Sequence, residues 1–364
     1  MNERPADAAT PARLIELACE ALPRMSLGDG SFCWERRLGT EAPSGRSLRY
    51  TLMVLLGLLR ASSQGVNTGI DPEPVRDLLW RELDSPELHP GDFGLYLWAA
   101  ARLGSGDGPL LADRLRQALD RDGGFAGREG MELGWIVTGL AHQAAADARH
   151  SADLRTALDW LLGPGRDAGS GLFRQRGHGP RARFPNFATQ IYAVLALATV
   201  GRLGLDERAL PAARATADRL LELQLADGGW PWIYDVRSGR VVERYEVYAV
   251  HQDAMAPMAL LELFEATGDE RYRAAVARGL PWVSGHNELG ADMVDREAGL
   301  VYRSIRRTSP WDRGLLIANT LSSAALRRPA ATGGRRLEIN ATDRPYHFGW
   351  VLEAWSGREN VLSA

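Results

Sequence analysis

Between Glu243 and Asp253 the chain places Glu243, Glu246, Tyr248, His251, Gln252 and Asp253 in a stretch that turns apolar immediately afterwards. Histidine is the side chain whose ordinary pKa lets it take or give a proton near neutrality. A histidine, an amide and a carboxylate in succession are costly to bury unless they are paired or face a wet cavity. The group therefore reads as an acid–base centre. His251 or Tyr248, or one of the carboxylates of Glu243, Glu246 and Asp253, would move a proton, and Gln252 would hold substrate. At helical spacing Glu246, Val250, Asp253 and Pro257 share one face, while Tyr248, Gln252 and Met255 share another, with His251 beside them. Pro257 has no N–H, so the carbonyl of Asp253 loses its intrahelical donor and a kink is expected there.

A second cluster runs from Asn287 to Arg307. Asp292 and Asp295 would face the same way on a helical turn, or the segment is an irregular loop with a short hairpin. Leu300 to Ile305 alternates, which puts Tyr302, Ser304 and Arg306 on one side and Arg303 on the other. Arg303, Arg306 and Arg307 together would form an anion clamp, because guanidinium grips carboxylate or phosphate through two N–H groups. A third group, Tyr346 and His347, opens the last apolar helix after Asp343 and Arg344. Trp311-Asp312-Arg313 and the pair Asn186 and Gln190 occupy similar positions at the starts of other apolar helices. Helix N-termini also present free N–H groups to anions.

The elements that must hold these groups are helices of two kinds in alternation. Segments starting at Ser47, Asp92, Met131, Asn186, Tyr245, Arg313 and Tyr346 are apolar on nearly every face, with Ala and Gly interleaved, as expected of helices buried on most sides. Between them, segments from Pro72, Pro109, Ser151, Pro211 and Asp269 are amphipathic. Such a chain is all-α. It closes as an α/α toroid, a double ring of inner and outer helices, or stays open as a solenoid of helix pairs. The uneven loops, such as Gly163 to Gly171 and Arg176 to Pro185, favour the toroid. The expectation is a single domain over residues 1–364, with 1–45 as an N-terminal helix and lead-in and 329–336 as a mobile loop.

The turn Asp227-Gly228-Gly229, followed by Trp230 and Trp232, suits a helix end, since glycine accepts positive φ without steric cost. A related turn stands at Asp122 to Phe125 and a degenerate one at Gly169 to Phe173, so the turn reads as a joint between an outer helix and the next inner one. Gln224 to Trp230 resembles the repeat of terpenoid cyclases and protein prenyltransferase β subunits, which are α/α toroids. The Asp-x-Asp-Asp run and the zinc-binding cysteine set that those families use are missing. Gly228-Gly229-Trp230-Pro231, Tyr234 and Asp253-Ala254-Met255 are similar to toroidal pectate lyases. That resemblance implies a uronate substrate, acidic residues holding calcium and an arginine base. Where consecutive carboxylates stand in that family, this chain has His251, Gln252 and Asp253.

The 43 basic and 46 acidic residues give a net charge of -3, which lacks the basic excess of a nucleic-acid binder. No apolar run reaches the ~18 residues of a membrane helix, and the first residues lack a signal-peptide pattern. The two cysteines, Cys19 and Cys33, fit neither a disulfide framework nor a zinc knuckle. These features point to a cytoplasmic enzyme with a small-molecule or oligosaccharide substrate, no nucleic-acid partner, no membrane insertion, no metal and no cofactor. Nothing in the sequence sets an oligomeric state. The leading expectation is action on an acidic sugar or oligosaccharide, as a lyase, epimerase or hydrolase. Trp230, Trp232, Tyr302 and Tyr346 would stack on sugar, and the arginines, Asp292, Asp295, Gln252 and His347 would bind it. The alternatives are an isoprenoid cyclase or prenyltransferase binding a prenyl diphosphate, and a binding toroid without catalysis.

Overall fold

The computed structural model of the chain describes residues 9–308 and 336–363. The helix expected from Arg313, the Trp311-Asp312-Arg313 group and all but Arg336 of the expected mobile loop lie outside the described residues.

Helices α1 (Pro11–Ala21), α3 (Pro72–Arg81), α5 (Gly108–Arg121), α7 (Ser151–Leu162), α9 (Ala209–Leu223) and α11 (Glu270–Gly279) form an outer layer. They alternate with α2 (Leu48–Ser63), α4 (Pro90–Leu103), α6 (Gly130–Ala146), α8 (Phe187–Arg202), α10 (Ala256–Thr267) and α12 (Pro345–Trp355). The second set packs in order around a circle, α2 on α4, α4 on α6, α6 on α8, α8 on α10 and α10 on α12, and α12 closes onto α2. The chain is an α/α toroid. Burial follows the pattern of residues: every residue from Phe187 to Val200 of inner α8 is buried. Outer α9 buries one stripe, Ala209, Ala212, Ala213, Thr216, Ala217 and Leu220, spaced as one face of a helix.

The inner helices approach closely where both partners lack a Cβ. A Cβ on Gly57 of α2 would come within 2.2 Å of the Gly349 carbonyl oxygen of α12, and one on Gly139 of α6 within 2.0 Å of the Gly94 oxygen of α4. Glycine lowers helix propensity; here the loss is accepted because any larger residue would push the ring apart.

Connections from an inner helix to its outer partner are short, as at Gly268 and Asp269 between α10 and α11. Among those running from an outer helix to the next inner one are the long connections before α2, α8, α10 and α12, and outer-to-inner connections carry every described strand: β1 (Glu35–Arg37), β2 (Thr40–Ser44), β3 (Ile233–Asp235), β4 (Arg240–Glu243), β5 (Val247–Tyr248), β6 (Val294–Asp295), β7 (Leu300–Val301), β8 (Ser304–Arg307), β9 (Leu337–Asn340) and β10 (Thr342–Asp343). They make small antiparallel sheets, β10-β1-β2, β3-β4, β5-β8-β9 and β6-β7. All of this structure therefore sits on the rim where the inner helices begin. Among the described residues no helix is long and apolar enough to cross a membrane.

The glycine turn of the opening motif staples two outer helices. Gly228 has φ +87, and a Cβ there would lie 2.1 Å from the Arg278 oxygen at the end of α11. Gln224 donates to the Gly228 and Ala275 carbonyls at 2.8 and 3.1 Å, and Asp227 accepts from the Gly229 N–H at 2.9 Å.

Candidate active site

One group of polar residues gathers in the first turns of the inner helices. On α2, Arg49 donates to both oxygens of Asp92 on α4 at 2.6 and 3.0 Å and lies 3.5 Å from Glu132 on α6. Its guanidinium also covers the Trp135 ring at 5.4 Å. Burial raises the Glu132 pKa, and Arg49 only partly offsets it. Beside Arg49, Tyr50 stacks between Trp34 at 4.8 Å and Tyr346 at 4.7 Å. Arg344 lies over the other side of Trp34 at 4.4 Å. Trp34 is 45% exposed, so this aromatic ladder runs from solvent to the first turn of α12.

The segment before α10 is built differently from the other inner-helix starts. His251–Met255 forms one wide π turn, in which the Ala256 N–H reaches back to the His251 carbonyl. Pro257 follows at the start of α10 and supplies no donor. The Asp253 carbonyl is instead satisfied by the Trp355 indole N–H of α12 at 2.6 Å. The expected irregularity thus takes the form of an inserted turn, a feature that recurs at functional sites.

The π turn delivers His251 into a box of rings: Phe187 at 4.7 Å, Tyr248 at 5.0 Å and Trp232 at 5.9 Å. Its Nδ1 is buried and makes no hydrogen bond among the described residues. Burial, then the charges of Arg303 and His347, push its pKa down to about 3, which keeps it neutral. His347, on the first turn of α12, has the opposite environment. Burial opposes its charge, but Asp253, 2.7 Å from Nε2, and Asp343, 3.9 Å from Nδ1, raise its pKa. The Asp343 carboxyl is itself pushed up to about 6 by burial, with His347 and two backbone N–H groups pulling the other way. Two buried histidines on neighbouring inner helices therefore have their pKa values pushed in opposite directions.

Arg303 completes the group. It sits between β7 and β8, where its N–H is shared by the Asn340 and Thr342 carbonyls and its own carbonyl accepts from Ala249. The guanidinium lies over Tyr248 at 5.3 Å. Burial disfavours its charge, but Tyr346, Tyr248 and Tyr50 around it more than compensate and raise its pKa. Its Nη1 is buried without a hydrogen bond among the described residues, as are Gln252 Oε1 and Asp253 Oδ2.

His251, Tyr248, Trp232, Tyr346, His347 and Arg303 thus come together, with Gln252 and Asp253 directly behind them. Gln252 donates to the Tyr248 carbonyl at 3.0 Å. Other expected site residues are engaged elsewhere. The three-arginine clamp does not form, because the strand alternation breaks at Tyr302 and Arg303 between β7 and β8. Arg306 points outward to Glu338 at 2.8 Å. Arg307 pairs with Glu243 at 3.0 Å and covers the Tyr245 ring at 4.8 Å, so Glu243 is occupied as well. Glu246 accepts from the Ser304 hydroxyl at 2.8 Å. Asp292 caps the Val294 N–H at 2.9 Å, and Asp295 holds the Ala298 N–H at 2.9 Å and the Tyr302 hydroxyl at 2.7 Å, so all three serve the β6–β7 hairpin. Trp230 is buried against Phe187 at 5.3 Å, one layer behind His251. Gln190 is taken by the Phe173 backbone at 2.7 and 2.8 Å, and Asn186 caps α8 through the Thr189 N–H. The sequence reading missed Arg49, Tyr50, Trp34 and Glu132; a charged residue in the first turn of an otherwise apolar helix was the available signal for Arg49 and Glu132.

No protein-family model and no curated protein matches the sequence. Solved structures do match in fold. A sugar epimerase from a ruminal bacterium aligns over 96% of this chain and 98% of its own, with 10% identity and a TM-score of 0.65. Cellobiose 2-epimerase from Spirochaeta thermophila aligns over 97% and 98%, with 14% identity and a TM-score of 0.65. This chain shares their fold. An unsaturated glucuronyl hydrolase specific for heparin is similar over 97% of each chain, at 13% identity and a TM-score of 0.63. The likeness spans inner and outer rings alike, and at these identities it speaks to architecture.

Proposed function

We propose that the chain is an enzyme acting on a sugar or oligosaccharide, preferably one bearing a carboxylate, by proton transfer at the rim where the inner helices begin. The observation that carries this reading is the pair His251 and His347, one neutral with a free Nδ1 and one whose pKa is raised by the carboxylates of Asp253 and Asp343, beside the unpaired Nη1 of Arg303. Removing a proton next to a carbonyl or carboxylate needs a base and a cation for the oxyanion that develops. His251 is the base. Arg303 takes the substrate carboxylate or the developing oxyanion, and His347 supplies the second positive charge. An anion on Arg303 also neutralises one of the charges that depress His251, so substrate binding strengthens the base. Trp34, Tyr50 and Tyr346 offer ring faces to neighbouring sugar units, as expected where an apolar body must orient a polar ligand.

Epimerisation or β-elimination suits this pair best, and the sugar epimerases of like fold support it. Hydrolysis is the second reading, favoured by one observation: Glu132, buried and with a raised pKa, has the character of a general acid. The mixed lining of His, Arg, Asp, Glu and Tyr speaks for sugar over the isoprenoid reading, which expects an aromatic and aliphatic funnel.

The test is a screen of uronate oligosaccharides, neutral disaccharides and prenyl diphosphates in D₂O. Deuterium should appear at the carbon beside the carbonyl or carboxylate of the substrate. His251→Asn should lower kcat by roughly 10²-fold or more, and Arg303→Ala should raise KM most for acidic sugars. Turnover of prenyl diphosphates alone would overturn the proposal, as would full activity in the His251 variant.

A further inference from the structure

The opposite rim, where the inner helices end, holds a polar cavity of about 110 Å³. Charged residues from the ends of five inner helices, α2, α4, α8, α10 and α12, and from just past α12, meet there. Three arginines are matched by three glutamates. Arg102 of α4 grips Glu353 of α12, Arg202 of α8 bonds Glu262 of α10 at 2.5 Å, and Arg358 bonds Glu265 at 2.6 and 2.8 Å while also reaching Glu262.

Arg60, from the last turn of α2, is the fourth arginine and has no carboxylate partner among the described residues. Its Nε donates to the Ser356 carbonyl at 3.1 Å, and its two Nη groups make no hydrogen bond there. Two further donors line the same space. Trp98 is 2% exposed, and its Nε1–H is buried without an acceptor. Its ring lies parallel to His142 at 5.6 Å, and no hydrogen bond among the described residues reaches the His142 ring. Burial and the charges of Arg102 and Arg202 hold His142 neutral, so it keeps one N–H.

The accounting is one-sided. The carboxylate oxygens of Glu353, Glu262 and Glu265 are already engaged, whereas the unmet groups are a guanidinium edge, an indole N–H and an imidazole. The buried Trp98 N–H, left unpaired, costs free energy, and the paired edge of the Arg60 guanidinium fits a planar oxyanion. We propose that this basal cavity binds one small planar monovalent oxyanion, of formate, acetate or nitrate size, on Arg60, Trp98 and His142. The site lies at the end of the ring opposite the proposed catalytic rim, so it is distinct from that rim and does not depend on it. The bound anion would tie α2, α4 and α6 together at the base of the ring.

The test uses the full-length chain, titrated with sodium formate, acetate and nitrate at ionic strength held constant with sodium fluoride. Melting temperature and isothermal calorimetry are the readouts. A saturable rise in Tm of roughly 3 °C is expected, with a stoichiometry of one. Arg60→Gln should abolish the rise, and Trp98→Phe should weaken binding by roughly up to tenfold. Turnover by the opposite rim should be unchanged in Arg60→Gln. No saturable binding, or binding that survives Arg60→Gln, overturns the proposal. If Arg60→Gln fails to fold, Trp98→Phe decides, and an affinity equal to that of the parent chain overturns it.

Discussion

His251 and His347 are the same residue type on neighbouring inner helices, and their surroundings drive their pKa values apart. Burial, then the charges of Arg303 and His347, hold His251 neutral, while Asp253 and Asp343 raise the pKa of His347 against its burial. Opposed pKa shifts of this kind are how one site supplies both an acid and a base. They also act on stability. The Asp343 pKa rises from 3.8 to about 6 on folding, so between those values the folded chain binds more protons than the unfolded one. This group therefore makes stability fall as pH rises through that window. His347, also raised, acts in the same sense from its ordinary value upward. His251, depressed from 6.5 to about 3, acts the other way, and its contribution is lost as pH falls below 6.5. Asp343→Asn removes one titration while keeping the shape. Between pH 4 and 6 the slope of Tm against rising pH should be more positive in the variant than in the parent chain, and parallel curves would remove Asp343 from the account.

The element that sets the site apart is the π turn of His251–Met255 in front of Pro257. A proline near a helix start costs the helix little locally, but here it frees the Asp253 carbonyl in a fully buried place. Trp355 of α12 fills that role from across the helix pair. One tryptophan thereby fixes both the backbone of Asp253 and, through it, the carboxylate that grips His347. Trp355→Phe should destabilise the chain by about 1–3 kcal/mol through the orphaned carbonyl and the lost contact. Pro257→Ala restores a local donor. The double variant should therefore lose less than the sum of the single changes, as groups sharing one partner do. Denaturant unfolding of the four proteins closes the cycle, and strict additivity would mean that Pro257 and Trp355 do not share the Asp253 carbonyl.

At the scale of the whole molecule, ring closure depends on how near the inner helices come to one another. Gly57 with Gly349 and Gly139 with Gly94 are the points of nearest approach at which a methyl group has no room. Gly139→Ala should cost about 1–3 kcal/mol or more through overpacking, although alanine is the better helix former. A Tm equal to or above that of the parent would show that α4 and α6 can separate without penalty. The ring also divides labour between its rims. Long connections carry every described strand to the rim that holds the histidines, whereas short connections leave the other rim to an ion-paired cluster around Arg60.

Much of this was legible in the residues themselves. Alternating apolar and amphipathic helices with uneven loops favour a toroid over an open solenoid, because inner helices must be apolar all round and outer ones on a single face. The closeness of Tyr248, His251, Gln252 and Asp253 was local and needed no tertiary knowledge. Only the fold could bring Arg303 to that group and send Arg306 and Arg307 elsewhere, since a break in strand alternation reverses which way each side chain points. Only the fold joined Arg49 and Tyr50, some two hundred positions upstream, to the same rim, because ring closure between α12 and α2 is a contact between the two ends of the chain. Local pattern fixes which helices are buried, while the packing of the ring decides which of their polar ends meet.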